Sequence, residues 1–186
     1  AVLKGGTALL LAHGLNRFSE DMDFDLPKGS SADFQKHIMR AAESVGINIK
    51  DINIKKDTET TKRYMVHFEG LNDEPGRAYP LKIECSMRNK IDKSNVVQID
   101  GMNVYDVAHI GELKANAFVG REKGRDTYDI AFLIENYASE LRPETWKLIK
   151  KNIDDKGIDS LCDAFEREKA KDDLLKDIDG IEILPK

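Results

Sequence analysis

In the segment Asp21-Met22-Asp23-Phe24-Asp25-Leu26, acidic and apolar residues alternate without a break. That is the period of a half-buried strand, not of a helix. Asp21, Asp23 and Asp25 fall on one face, and Met22, Phe24 and Leu26 fall on the other, where they require a core. The chain must therefore build a sheet with one apolar face and one acidic face. Stacked carboxylates repel each other unless a cation or water intervenes. A divalent ion between Asp21 and Asp23 would relieve that repulsion, while Asp25, one step further along, is expected to be solvated.

The residues upstream point the same way. The chain opens on Ala-Val-Leu-Lys and runs straight into Gly5-Gly6, with no initiator Met, which leaves room for sequence before this numbering. Thr7 to Ala12 reads as the first turns of a helix broken near Gly14. Paired glycines at a strand-to-helix junction allow close backbone approach, and a helix N-terminus offers N–H groups to phosphate oxygens. Thr7 adds a hydroxyl. A lone Gly-Gly is usually a tight turn and a lone Asp-x-Asp a solvated edge. In this order, joined by one short helix, they point to a metal-and-phosphate site.

Pro27 to Ser31 is a loop that can cap a helix over about Ala32 to Val45. Strands are predicted at Ile47–Ile54, Arg63–Phe68 and Leu81–Met87, the last two separated by turn-rich Glu69–Gly76 as in an antiparallel pair. A short strand near Val96–Ile99 and a turn at Gly101 follow. Helices are then predicted at Val107–Val119, Thr127–Tyr137, Pro143–Asn152 and Asp159–Leu175. The chain reads as an α/β (α+β) mixed sheet flanked by helices over 1–105, followed by a helical part over 106–186 that completes the site.

Composition removes several alternatives. With 40% hydrophobic and 34% charged residues, the chain is neither disordered nor membrane-spanning. No apolar run approaches the roughly 20 residues a bilayer requires, and no signal-peptide pattern opens it. Cys85 and Cys162 cannot form a disulfide framework, so a reducing cytoplasm is the simplest setting. The four histidines lack zinc spacing, so any metal should be a hard, oxygen-liganded ion. A net charge of −5 argues against coating nucleic acid. Basic residues do gather in Lys50–Arg63, Lys82–Lys93 and Lys114–Arg125, which leaves a local site for a polyanion.

In Leu81–Met87 the apolar face is Ile83, Cys85 and Met87, so Glu84 projects from the other face beside Lys82 and Ser86. It is either a third carboxylate for a metal or for an acceptor's proton, or an ordinary exposed glutamate. Its carboxylate is expected to face Asp21 and Asp23 from an adjacent strand. Lys114 and Arg121, seven apart, share a helical face if the helix persists, and could contact phosphates. Gly124 is expected to interrupt the helix, with Asp126 as the next N-cap and Asp129 at the third position beyond it. Arg125 either pairs with these aspartates or faces a ligand.

Lys4-Gly5-Gly6-Thr7-Ala8-Leu9, Arg17-Phe18-Ser19-Glu20-Asp21-Met22-Asp23-Phe24 and Arg121-Glu122-Lys123-Gly124-Arg125-Asp126-Thr127-Tyr128-Asp129-Ile130 together resemble the AbiEii/AbiGii toxin family. That family is a branch of the DNA polymerase beta-like nucleotidyltransferase superfamily, and the resemblance spans roughly residues 1 to 137. It implies a nucleotidyltransferase fold and transfer of a nucleotide from an NTP to an acceptor that it does not name: RNA, protein or a small molecule. It also implies a toxin role beside a separately encoded antitoxin. By the same resemblance Gly5, Gly6 and Thr7 hold the triphosphate, Asp21 and Asp23 bind Mg²⁺, with Mn²⁺ as the alternative ion, and Glu84 sits where the superfamily keeps its third metal-binding carboxylate; Lys4, Ser19, Arg121 and Arg125 are the further nucleotide-binding candidates. Lys114 and Asp126 match the family's later lysine and aspartate and join the three carboxylates as catalytic candidates. Two rivals stand beside this reading: a DxD glycosyltransferase, and a catalytically inactive relative used as a binding module. A DxDxT phosphatase is excluded, because Asp25 stands where the threonine is needed.

Overall fold

The acidic–apolar alternation does form a strand. A computed structural model describes residues 1–30, 33–69, 78–121 and 123–175. The chain divides into two compact units, Ala1–Lys4 with Glu20–Lys93, and Gly5–Ser19 with Ser94–Lys186.

The first unit is a mixed sheet with one helix. Its strands are β1 (Val2–Lys4), β2 (Asp21–Asp25), β3 (Asn48–Asp57), β4 (Thr61–Glu69) and β5 (Ala78–Ser86), in the order β3-β4-β5-β2-β1. β2 runs parallel to β5, while the β1–β2, β3–β4 and β4–β5 pairs are antiparallel. Met22, Phe24 and Leu26 pack with Ile83, Cys85, Met87, Tyr64 and Val66 in one core. The alternation thus settles which face of β2 and β5 is buried. The predicted antiparallel pair is β4–β5; of the turn assigned between its strands, residues 70–76 lie outside the described residues.

Helix α2 (Phe34–Ser44) begins later than predicted. Its N-cap is Asp33, whose carboxylate accepts the Lys36 N–H at 3.1 Å, so the cap lies beyond the Pro27–Ser31 loop. β3 runs on to Asp57 through Lys55-Lys56, a charged stretch in which hydrophobic alternation fades.

The second unit holds α1 (Gly5–His13), the hairpin β6 (Val96–Ile99) and β7 (Met102–Tyr105), and α3 (Val107–Gly120), α4 (Gly124–Tyr137), α5 (Pro143–Lys156) and α6 (Ile158–Lys169). β7 was not predicted. Its signal is the two-residue turn Asp100-Gly101, both at positive φ (49° and 79°), the geometry that matches hairpin twist. The apolar faces of the helices meet at Leu9, Ile110, Ile130, Leu133, Ile149 and Phe165, all essentially inaccessible. α6 ends at Lys169 rather than Leu175. The following residues form a turn in which Asp172 accepts the Leu174 N–H and its carbonyl accepts the Leu175 N–H.

Two details of α4 correct the sequence reading. The helix starts at Gly124 with Lys123 as N-cap, so Asp126 lies in the first turn and is not the cap. Arg121 is the C-cap of α3 with extended backbone, so it does not continue the Lys114 helical face.

Candidate functional site

In the first unit, the parallel pairing of β2 with β5 sets Asp21 opposite Lys82 and Asp23 opposite Glu84. Directly opposed side chains on one face are near neighbours. Glu84 therefore sits on the strand next to the aspartates and on their side, as the alternation of Ile83 and Cys85 requires. Each flanking carboxylate has acquired a cation. Lys82 donates to Asp21, and Lys4 to Asp25 at 2.5 Å. Arg63, opposite Glu84 on β4, donates from Nε at 2.7 Å and lies 2.6 Å away through Nη2. Asp25 is buried and ion-paired rather than solvated, because β1 brings Lys4 beside it.

Asp23 differs from its neighbours. Its carboxylate has no hydrogen-bond or ion-pair partner among the described residues and is pushed above the usual aspartate range. Burial is the main cause. Asp21 and Glu84 add to the rise, while Lys82 and Lys4 oppose it. A half-buried carboxylate between two others is the kind of donor that suits a hard divalent cation. Asp21, Asp23 and Glu84 fit such an ion in chemistry. In this arrangement two of them are turned to Lys82 and Arg63, and among the described residues no three acidic, His or Cys side chains are gathered as a ready metal cage.

In the second unit, Gly5 enters α1 at φ 78°, a conformation open to glycine. Gly6 is crowded: a Cβ there would lie 3.0 Å from Arg17 Nη2 and 3.0 Å from Ser19 Oγ. Thr7 Oγ1 donates to Ser19 Oγ at 2.9 Å. The first turn of α1 is thus backed by a serine hydroxyl and a guanidinium.

That guanidinium is held by Asp129. Arg17 Nε and Nη2 each donate to Asp129 at 2.7 Å, in a bidentate fork, and Nη1 donates to the Phe18 carbonyl at 3.0 Å. Lys114 Nζ lies 2.6 Å from the same carboxylate. All three side chains are buried. Lys114 is therefore directed to Asp129. Asp126, also buried, takes a second fork from Arg121 at 2.6 and 3.0 Å. Arg125 pairs with Asp172, neither with Asp126 nor with Asp129.

The sequence reading attached no role to Arg17, Lys82 or Arg63. Strand alternation placed Lys82 on the face of Glu84, so its pairing was accessible once the β2–β5 register was known. Arg17 and its partner stand 112 positions apart, with no local signal between them.

Solved structures of the nucleotidyltransferase class match the chain. A candidate nucleotidyltransferase from H. pylori is 34% identical, with 97% of this chain and 79% of that chain covered and a TM-score of 0.83. JHP933 from Helicobacter pylori is 35% identical over 97% of this chain and 77% of that one, also at a TM-score of 0.83. No curated protein matches in sequence. The profile of the nucleotidyl transferase AbiEii toxins, Type IV toxin–antitoxin system, matches residues 1–182, and the chain belongs to that family. Among the described residues no helix is long and apolar enough to cross a membrane.

Proposed function

We propose that the chain is a Mg²⁺-dependent nucleotidyltransferase that acts as the toxin of a toxin–antitoxin pair, restrained by a cognate antitoxin. The reaction is attack by an acceptor hydroxyl, on RNA or protein, at the α-phosphorus of an NTP, with pyrophosphate leaving. The observation that carries this reading is the register of Asp23 with Glu84, which leaves one partly buried, unpartnered carboxylate between two others. Asp21 and Asp23 would hold Mg²⁺, with Glu84 as third ligand. When bound, the ion offsets charge on the attacking and leaving oxygens. The N–H groups of Gly5, Gly6 and Thr7 receive phosphate oxygens at the start of α1, with Ser19 behind them. Arg17, held with Lys114 on Asp129, lies behind that turn. Arg121, Arg125 and Asp126 hold the first turn of α4 in place.

The experiment is transfer of label from each α-³²P-NTP to total cellular RNA or protein, with Mg²⁺ or Mn²⁺. Labelling by the native chain that Asp23→Asn abolishes supports the reading, and no labelling with any NTP overturns it. One observation favours a second reading, an inactive binding module: Lys82 and Arg63 already neutralise Asp21 and Glu84. On that reading NTP binds without turnover, and the binding is indifferent to Mg²⁺.

A further inference from the structure

The second unit also contains a pocket that the proposed reaction does not use. It lies where the C-terminal ends of α3 and α5 meet the first turn of α4 and the side of α6, with a volume of about 150 Å³. None of Gly5, Gly6, Thr7, Arg17 or Ser19 lines it. We propose that this pocket binds a phosphate or diphosphate group, as a second anion site separate from the start of α1.

Three features support that chemistry. Lys123, Lys156 and Arg167 converge on the pocket from three elements, and Arg121 forms part of the wall with its charge taken up by Asp126. Against them the lining has one acidic residue, Glu168, in a chain whose net charge is −5. Second, α4 opens onto the pocket at Gly124 with no side-chain cap, and although the Asp126 and Thr127 N–H groups donate to the Lys123 carbonyl, the positive end of the helix dipole favours negative charge there. The glycine is required there: a Cβ would come within 2.8 Å of Glu168 Cβ and 3.0 Å of Leu175 Cδ1.

Third, Thr127 lines the pocket at 8% exposure, and its hydroxyl has no hydrogen-bonding partner among the described residues. Among the described residues the fully enclosed side-chain polar atom left without a partner is Thr61 Oγ1, so Thr127 Oγ1 is open to the pocket and within reach of a phosphate oxygen. The volume lies below the range of pockets that enclose drug-sized ligands, which start at about 300 Å³. It therefore suits a small anion or a terminal phosphate and excludes a whole nucleotide.

The test is calorimetric titration of the full chain with inorganic pyrophosphate at low, constant ionic strength, comparing native protein with Lys123→Ala/Arg167→Ala and with Thr127→Val. Both cations are exposed, so the double variant keeps the fold. The expected result is loss of one pyrophosphate site, or weakening of it by roughly tenfold, in the double variant, and a smaller loss in Thr127→Val. If the start of α1 also takes pyrophosphate, stoichiometry falls from two to one; if that reading fails, it falls from one to none. Unchanged stoichiometry and affinity in both variants overturn the pocket and leave the α1 reading untouched. A parallel arm with a 5′-phosphorylated oligonucleotide and its dephosphorylated twin identifies the source. Binding that needs the terminal phosphate and is lost in the double variant assigns the pocket to a nucleic-acid end, and binding of pyrophosphate alone assigns it to a free anion.

Discussion

Replacing Asp129 by Asn keeps the shape of the side chain and removes one charge from the most enclosed ion network among the described residues. Asp129 is fully buried, and the side chains it holds, Arg17 and Lys114, are 3% and 11% exposed. Two cations would then remain in a site closed to water, facing a neutral amide. Breaking a buried pair by removing one partner costs about 3–5 kcal/mol. Two stranded cations place this case toward the upper end. Domains of this kind are stable by only about 5–15 kcal/mol, so the loss is a large share of the total. For a chain of this size it corresponds to a fall in Tm of roughly 6–20 °C. Urea denaturation followed by far-UV circular dichroism measures the loss directly, and a thermal melt checks it. Lys151→Ala is the matched control, because its pair with Asp155 is 72% and 58% exposed and should contribute less than about 1 kcal/mol. If Asp129→Asn melts within a degree or two of Lys151→Ala, the network does not hold the unit together, and the account of Arg17 and Lys114 as anchored groups is wrong.

Three further outcomes follow from the geometry. Asp23→Asn should raise the Tm of the metal-free protein at neutral pH. The raised folded pKa means that Asp23 favours the fold below its unfolded value of 3.8 and loses that contribution as pH rises through the folded pKa, so the gain from Asn should vanish in melts taken below pH 3.8. Gly6→Ala should destabilise by about 1–3 kcal/mol in a denaturant titration, because its methyl meets an Arg17 that Asp129 prevents from moving. Cys85, buried and with its thiol pushed up to about 11, should resist a thiol reagent at pH 8 in the folded protein, while the partly exposed Cys162 reacts first; peptide mapping of the modified cysteine distinguishes them.

Much of the fold was legible because period-2 alternation and helix punctuation are local signals. β2 and β5 could be oriented residue by residue from Met22, Phe24, Ile83 and Cys85, and that alone put Glu84 on the aspartates' face. Pro143 stood at the start of the helix expected there, and α5 begins at it. The cations were not legible. Lys82, Arg63 and Lys4 reach Asp21, Glu84 and Asp25 only through cross-strand pairing, which a linear reading does not contain. Asp126 was misplaced as a cap because two acids near a glycine look like a helix start, whereas the chain starts α4 at the glycine itself and uses Asp126 to hold Arg121. Asp129 looked like a dipole-favoured acid near a helix start, and its burial depends on a segment from the other end of the sequence.

That last point bears on how the protein is made. The unit containing α1 is discontinuous: residues 5–19 are grouped with residues from 94 onward, and the whole of 20–93 lies between them in the chain. Emerging from the ribosome, Arg17 has no counter-charge until Asp129 has been synthesised, so α1 cannot settle early. Closing so long a loop before its contacts reward it slows folding. It also ties the glycine-opened turn to the completion of α4: a nascent chain that stops short of α4 contains Gly5-Gly6-Thr7 and Ser19 but lacks the Asp129 carboxylate that holds Arg17 against them.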